Sequence, residues 1–167
     1  AHGCNATHWG SLAIEDTKDL EHVEPLVVLT SLRGGGLSIQ RNSKLTSLRG
    51  FRNLRGSVDG FLSIVGNSLL KTLSGLEGIA SVKGYLWIQS NPELVSIEGL
   101  RGIRGVVTFI YVSTNSKLKS LDGLEGISGC SGFLASGYSI KVLNNAELQS
   151  ITGLSNIQGS VPGGILI

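Results

Sequence analysis

The chain has 167 residues, of which 41% are hydrophobic and 16% are charged, and its formal net charge is +2. A disordered polar segment has fewer apolar residues and more charge, so the composition indicates a folded domain. Lysine and arginine are scattered rather than clustered, which argues against a nucleic-acid partner. The apolar runs are far shorter than the ~20 residues that cross a bilayer, so we expect no membrane span in this chain.

Residues 1–10 precede the regular part of the sequence, and we interpret them as a tail or cap on one domain that covers residues 11–167. The chain contains no methionine, as expected for a protein whose leader was removed or for a fragment. Asn5, Ala6 and Thr7 match the acceptor pattern for N-glycosylation. These signals favour an extracellular protein, secreted or at the cell surface, that is glycosylated at Asn5.

A repeat of 24 or 25 residues dominates the rest of the sequence. Its marker is an asparagine that recurs at intervals of 25, 24, 24 and 30 residues, and Thr17 holds the same place 25 residues before the first marker. Three and five residues before each marker, and three, six, nine and twelve residues after it, every position is hydrophobic. The period of two predicts a strand, and the steps of three predict short 3₁₀-like turns. The five markers are Asn42, Asn67, Asn91, Asn115 and Asn145.

Units this short cannot bury their apolar faces alone, so successive units must stack with their strands in parallel. The sequence therefore predicts an all-β solenoid of about six coils. The longer interval before Asn145 predicts one six-residue insertion within residues 128–137. We expect this insertion to form a protruding loop that contains Phe133 and Tyr138 and that folds over the neighbouring sheet.

The polar and glycine columns of the repeat are interpreted as structural. The marker asparagines satisfy backbone groups at a corner and stack from coil to coil. The glycines at the next corner provide positive φ or close backbone approach, and the hydroxyl column bonds the backbone rather than a ligand. One column alternates in charge and predicts attraction between neighbouring coils. These columns are Gly50, Gly75, Gly99, Gly123 and Gly153; Ser47, Thr72, Ser96, Ser120 and Ser150; and Arg52, Glu77, Arg101 and Glu125.

The segment LWIQSNPELVSIEGLRGI, from Leu86 to Ile103, resembles the repeat of the receptor L domain. This family is related to leucine-rich repeats and includes the ligand-binding L domains of the insulin and epidermal growth factor receptors and modules of fungal and protist surface proteins. The resemblance extends from about Ser11 to Ile167. It implies a right-handed parallel β-helix, or leucine-rich-repeat-like solenoid, that binds proteins or glycans through an exposed sheet face without catalysis or a cofactor. The coils here are more regular than in the receptors and lack flanking cysteine-rich modules, so hormone-receptor activity is not implied.

An aromatic patch is the best candidate for a ligand site. Residues two, four and six before each marker point outward, because the residues between them point inward. Five aromatic residues fall on this face in three consecutive coils, and Gln89, Gln40, Val65 and Ser113 lie beside them. Rigid rings with neighbouring amides suit a protein or a glycan, although packing beneath a loop or simple strand propensity also explains them. The five are Phe61, Tyr85, Trp87, Phe109 and Tyr111.

The end of the sequence suggests a second class of function. Ile165, Leu166 and Ile167 fit the strand of an unfinished further coil, which exposes backbone groups and apolar core unless more chain or another subunit covers it. The alternative function is therefore a structural subunit of an extracellular fibre or surface layer, a homo-oligomer or filament assembled through open solenoid ends.

Enzyme and metal chemistry are not expected. The carboxylates of Asp59, Glu93, Glu98 and Asp122 are dispersed among columns, and no nucleophile elbow or phosphate-cradling loop is present. The spacing of His2, Cys4 and His8 matches no zinc pattern, and a mobile tail is the expected setting for these three residues. Cys4 and Cys130 are roughly four to five rungs apart, so an internal bridge would require the N-terminal tail to run back along the stack. We expect instead that Cys4 pairs outside this stretch of chain, that Cys4 or Cys130 pairs with another subunit, or that both thiols are free.

Overall fold

A computed structural model describes residues 6–167 and contains thirteen short strands. In chain order they are β1 (Ala6–Trp9), β2 (Leu12–Glu15), β3 (Leu29–Arg33), β4 (Leu37–Gln40), β5 (Gly56–Val58), β6 (Leu62–Val65), β7 (Ile79–Val82), β8 (Leu86–Gln89), β9 (Gly105–Val107), β10 (Ile110–Ser113), β11 (Ile127–Cys130), β12 (Tyr138–Leu143) and β13 (Gly164–Leu166). Strands β2, β4, β6, β8, β10, β12 and β13 pair in this order in one parallel seven-stranded sheet.

The fold is a parallel β-solenoid, as the repeat predicts, and its strands lie where the period of two places them. It has about seven turns rather than six, because β13 adds a seventh rung to the sheet. We number the coils 1 to 7 by the strand of this sheet with which each begins. On a second side of the solenoid the remaining strands form three separate pairs, β1 with β3, β5 with β7 and β9 with β11.

Short 3₁₀ turns connect the two sides in some of the coils. They span Glu24–Val28, Arg49–Phe51, Glu98–Leu100 and Thr152–Leu154, in coils 1, 2, 4 and 6, and the part of the chain that the structure describes contains no α-helix. The prediction of 3₁₀-like turns from the three-residue steps is confirmed in these four coils. Coils 3 and 5 instead place a glycine in the left-handed region, as at Gly75 with φ of 115°.

A single core runs along the inside of the stack. The repeat leucines and isoleucines of coils 3 to 5 are fully buried and belong to one continuous cluster. At the last complete coil the same columns open to solvent, so that Ile151 is 43% exposed while Ile97, its equivalent in coil 4, is 0% exposed. Burial of the column therefore requires a neighbouring coil on both sides, as expected of stacked repeats.

The marker asparagines form a buried ladder at the corner after each strand of the seven-stranded sheet. The Asn91 side chain donates to the Ile64 carbonyl at 3.0 Å and to Asn115 Oδ1 at 3.2 Å, and its own Oδ1 accepts the Asn67 backbone N–H at 3.0 Å. Thr17 begins the ladder by donating its hydroxyl to Asn42 Oδ1 at 2.7 Å. These bonds confirm a structural role for the column.

The corner itself is made by the residue before each marker. This residue adopts a left-handed conformation in all six coils: Asp16, Arg41, Gly66, Ser90, Thr114 and Asn144. Five of the six are not glycine, so the strain of positive φ recurs at five of the six corners. The asparagine bonds hold the backbone in this conformation.

The glycine and hydroxyl columns are also structural. At Gly50 a Cβ would lie 1.7 Å from the Val23 carbonyl oxygen of the preceding coil, so only glycine permits the two coils to approach. Each hydroxyl of the Ser/Thr column accepts a backbone N–H two residues later, as Ser96 does from Glu98 at 3.2 Å. These bonds tie each hydroxyl to its own turn.

The charged column, in contrast, does not join the coils as predicted. No ion pair links Arg52, Glu77, Arg101 and Glu125 to one another within the described chain. Instead the Glu77 carboxylate accepts the Gly75 N–H of its own turn at 2.9 Å, and Arg52 donates to the Arg49 carbonyl at 3.2 Å. The two glutamates lie in the turns with a left-handed glycine, where Glu77 and Glu125 accept the N–H of Gly75 and Gly123, and the two arginines lie at the 3₁₀ turns.

The N-terminal segment and the inserted loop both differ from the prediction. His8 lies in β1, which pairs with β3, and is not in a mobile tail. The inserted loop is limited to residues 131–137, since β11 extends to Cys130 and Tyr138 already begins β12. The side chain of Phe133 is 57% exposed and lies against Gly163, so the loop does not cover the predicted aromatic face.

Candidate ligand-binding face

The five predicted rings form one patch on the outer surface of the seven-stranded sheet. Parallel pairing in register puts Trp87 beside Tyr111 and Ser63 beside Trp87. Each ring is half-buried, because its neighbours and the sheet cover part of it. We call this patch the aromatic face; its members are Phe61, Tyr85, Trp87, Phe109 and Tyr111.

Three of the rings stack into a column along the solenoid axis. The ring centroids of Phe61 and Tyr85 are 5.1 Å apart and those of Tyr85 and Phe109 are 4.8 Å apart, with planes inclined by only 8° and 4°. Tyr85 therefore has both faces covered, and burial raises the pKa of its phenol. The other face of Phe61 lies on Gly36, where a Cβ would approach the ring Cγ to 2.8 Å. This column presents ring edges to the solvent, and its faces hold the column together.

Trp87 and Tyr111 are oriented differently from the stacked column. Their centroids are 4.8 Å apart and their planes meet at 84°, and Trp87 also meets Tyr85 and Phe109 edge to face. The Trp87 centroid is 6.1 Å from Tyr85 and 6.2 Å from Phe109. Since Trp87 belongs to the same coil as Tyr85, these nearly equal distances mean that the indole leans toward coil 5 and away from Ser63.

A cation borders the aromatic face on the side of coil 6. The Lys141 ammonium lies 5.7 Å from the Tyr111 ring centroid and 5.6 Å from that of Tyr138, within the range of cation–π attraction. Lys141 is the partner of Tyr111 in the sheet register. The period of two already put Lys141 in the column of Trp87 and Tyr111, but only the packing revealed its position between two rings.

A shallow cavity of about 230 Å³ occupies the space that the leaning indole leaves free. The lining residues are Gln40, Ser63, Val65, Tyr85, Trp87 and Gln89, and none of them carries a charge. The space is open because the sheet neighbours of Trp87 on that side have small side chains. They are Ser63 in coil 3 and then Ser38 in coil 2. The sequence predicted the residues but not the cavity, because the cavity depends on the side-chain torsions of Trp87.

The two amides of the cavity are used in different ways. Gln40 donates to the hydroxyls of Ser38 at 2.8 Å and Ser63 at 3.2 Å and accepts from Arg41 at 3.0 Å. Gln89 accepts the indole N–H of Trp87 at 2.8 Å. An indole can only donate, so this bond fixes which end of the Gln89 amide is the oxygen. The Gln89 amide nitrogen is then turned away from Trp87 and has no partner among residues 6–167.

The remaining predicted site residues lie elsewhere. Ile165 and Leu166 are in β13, with Ile165 and Ile167 54% and 57% exposed. Cys130 is free and fully buried in the core, and burial raises the pKa of its thiol to about 11. A bridge from this thiol to a partner chain would therefore require the coil to open. Asn5 and Cys4 lie outside the described residues.

Two other hollows are more polar and lie away from the aromatic face. One of about 370 Å³ is lined by His22, Glu24 and several hydroxyls, and the other, of about 380 Å³, contains Arg33, Asp59 and Lys83. In the latter, Lys83 pairs with Asp59 at 2.7 Å and lowers the pKa of that carboxyl. Residues 6–167 contain no cluster of three metal-ligating side chains and no helix long and apolar enough to cross a membrane.

Comparison of the chain with protein-family models, curated proteins and solved structures finds no match. The resemblance to receptor L domains therefore stays a prediction from the repeat, and the functional argument rests on the geometry of the aromatic face.

Proposed function

We propose that this chain is an extracellular, non-catalytic binding module that recognises a protein or a glycan through the aromatic face. The observation that carries the proposal is the gathering of five rings on one outward surface that the inserted loop leaves uncovered. Contiguous apolar patches on a protein surface usually mark contact sites. The neighbouring asparagine ladder holds the strands in register, so the rings are ordered before a ligand arrives.

This preorganisation favours binding over a purely structural role for the rings. Aromatic side chains have few rotatable bonds, and here stacking fixes three of them in advance. A partner therefore loses little conformational entropy of the protein when it binds. The inner side of the same strands contains a complete aliphatic core, so the rings are not required to enclose it.

The experiment replaces Trp87 and Tyr111 together by alanine. We expect loss of ligand capture by the double variant, with a midpoint of thermal unfolding close to that of the unaltered protein. A matched control is Phe133→Ala, which removes a ring that is more exposed but lies outside the aromatic face. Collapse of the fold in the double variant, or equal loss of capture in the control, would show that the rings do not form the binding surface.

A second candidate is the structural subunit that assembles end to end. It is favoured by the exposure of Ile151, Ile165 and Ile167 beside the outer edge of β13. Replacing Ile165 by aspartate should disperse any polymers seen by negative-stain electron microscopy and reduce the sedimentation coefficient. A protein that sediments as a monomer at high concentration before any substitution contradicts this candidate.

A further inference from the structure

The cavity beside Trp87 has the chemistry of a subsite for one neutral sugar ring. Its volume, about 230 Å³, lies below the range of about 300 to 1,000 Å³ that is typical of sites for drug-sized ligands. Its lining combines the aromatic rings of Trp87 and Tyr85, the aliphatic Val65 and the amides of Gln40 and Gln89. Carbohydrates present an apolar C–H face together with hydroxyls at the ring edge, which matches apolar walls with a few placed polar groups.

One hydrogen-bond donor in the cavity, the amide nitrogen of Gln89, is not used by the described protein. The bond from Trp87 Nε1 to Gln89 Oε1 directs the Gln89 amide nitrogen away from the indole, and the nitrogen has no partner among the described residues. The amide nitrogen of Gln40 already donates to Ser38 and Ser63, and its oxygen accepts from Arg41, so Gln40 offers no free donor. The cavity therefore offers a hydrogen-bond donor beside an indole whose ring contacts are all edge to face, so that no aromatic ring stacks on it.

The charge of the ligand follows from the lining. No ionised group lines the cavity, and the Arg41 guanidinium that donates to Gln40 is already paired with Asp16 at 2.6 Å and lies 3.6 Å from Glu15. A carboxylate, sulfate or ammonium in the cavity would lose hydration without gaining a counter-charge. We propose that this cavity is the subsite at which the binding module recognises one residue of a neutral glycan, with Trp87 beneath the sugar ring and Gln89 donating to a hydroxyl. This inference rests on the proposed function and makes it more specific.

The test uses Trp87 as its own reporter. The chain has two tryptophans, and Trp9 is 75% exposed, so the Trp9→Phe variant isolates the fluorescence of Trp87. The probes are neutral oligosaccharides of glucose, mannose and N-acetylglucosamine, with heparin and polygalacturonate as charged counterparts. We expect a saturable change in Trp87 emission with at least one neutral oligosaccharide and none with the charged glycans.

Two variants separate the subsite from the rest of the aromatic face. Gln89→Glu keeps an acceptor for the indole N–H but removes the free donor, and we expect about tenfold weaker binding, as for the loss of one hydrogen bond. Val65→Phe fills the cavity and should abolish the response. The matched controls are Gln149→Glu, an exposed site with the same charge change, and Leu143→Phe, the same column of the sheet in coil 6; both should bind as the unaltered protein does.

Each failure has a distinct meaning. No response of Trp87 to any neutral oligosaccharide at millimolar concentration overturns the sugar subsite, as does a response only to charged glycans. A polypeptide that requires Trp87 and Tyr111 but tolerates Gln89→Glu and Val65→Phe also overturns the subsite, and it leaves the proposed binding function intact. Loss of binding in the two controls would mean that the substitutions act through the fold.

Discussion

The seven-stranded sheet and the second side of the solenoid are built from the same repeat but are hydrogen bonded differently. In the sheet every inner strand pairs with both neighbours, and the register is unbroken from β2 to β12, with one shift between β12 and β13. On the second side the strands pair two by two, with β5 joining β7 and β9 joining β11, and the ladder breaks between these pairs. The continuous side can therefore align side chains from many coils, which is why the aromatic face lies on this side.

The breaks reveal that the structural repeat is two coils long. Where the second side joins coils 2 and 3 or coils 4 and 5, isolated bridges join the other neighbours, through Thr72 and Ser96 for coils 3 and 4 and through Ser120 and Ser150 for coils 5 and 6. The even coils turn with a 3₁₀ segment, whereas coils 3 and 5 turn through a left-handed glycine. From coil 2 to coil 6 the two turn types alternate, while coil 1 also has a 3₁₀ turn, so in this part of the stack equivalent backbone groups meet only at every second interface.

The largest expected effect of breaking the continuous side comes from Asn91→Ala. The substitution leaves the buried Asn67 N–H without its acceptor and removes the side-chain donor to the Ile64 carbonyl and to Asn115 Oδ1. Because each unsatisfied buried group costs about 1–3 kcal/mol, we expect a loss of about 3–5 kcal/mol in the free energy of unfolding, measured with urea. Asn145→Ala, at the partly buried end of the ladder, should cost less than half as much. Equal losses would contradict the importance of burial.

A smaller loss in the free energy of unfolding is expected when the pH is raised, because of Cys130 in β11 on the second side. Its thiol titrates at about 11 in the folded chain against 9.0 for an ordinary thiol. The raised pKa means that the folded state favours the protonated thiol. The stability that this preference contributes to the folded state is fully present below pH 9 and is lost as the pH rises toward 11. This loss, on the order of 2–3 kcal/mol, should appear in urea unfolding measured across that range.

The matched control for this titration is Cys130→Val, since valine occupies the same place in β5, β7 and β9, at Val58, Val82 and Val107. The variant should lose no more stability between pH 9 and 11 than the other titrating groups account for. In a Cys4→Ser background, the Cys130 thiol should react with a disulfide reagent at pH 8 only after unfolding. Rapid reaction of the folded protein would show that Cys130 is accessible.

The alternation of turn types also predicts that two glutamates contribute unequally to the free energy of unfolding, with a difference smaller than the effects above. Glu77→Ala removes the carboxylate that accepts the Gly75 N–H, and we expect it to cost about 1 kcal/mol. Glu98 is exposed and belongs to a 3₁₀ turn in which its side chain makes no hydrogen bond, so Glu98→Ala should cost less than about 0.5 kcal/mol. Urea unfolding of both variants checks this, and the reverse order would contradict the two-coil repeat.

The smallest expected effect is in hydrogen exchange. Amides of β6, β8 and β10, which pair on both edges, should exchange uniformly slowly. Amides of the second side that lie beside the breaks, between β3 and β5 and between β7 and β9, should exchange roughly threefold to tenfold faster than these. Amide exchange resolved by NMR distinguishes the two edges of each strand. Uniform protection across the second side would mean that the breaks close in solution.

Much of this arrangement was predictable from periodicity. A period of two fixes which side of a strand each Cβ faces, and stacking of equal coils fixes the column, so the membership of the aromatic face followed from counting. The two-coil repeat also had a signal, the alternation of Arg52, Glu77, Arg101 and Glu125. That signal was interpreted as attraction between coils, because charge alone does not say whether a side chain bonds across coils or within its own turn.

The sequence by itself determined the stack, its core and the asparagine ladder, since these depend on residue type and spacing repeated many times. The tertiary structure alone decided that Tyr85 is covered on both faces, that Trp87 leans away from Ser63 and that Cys130 is sealed in the core. These features depend on side-chain torsions and on which neighbours fill the adjoining space. Spacing along the chain specifies the direction of Cβ but leaves the rest of the side chain to the packing around it.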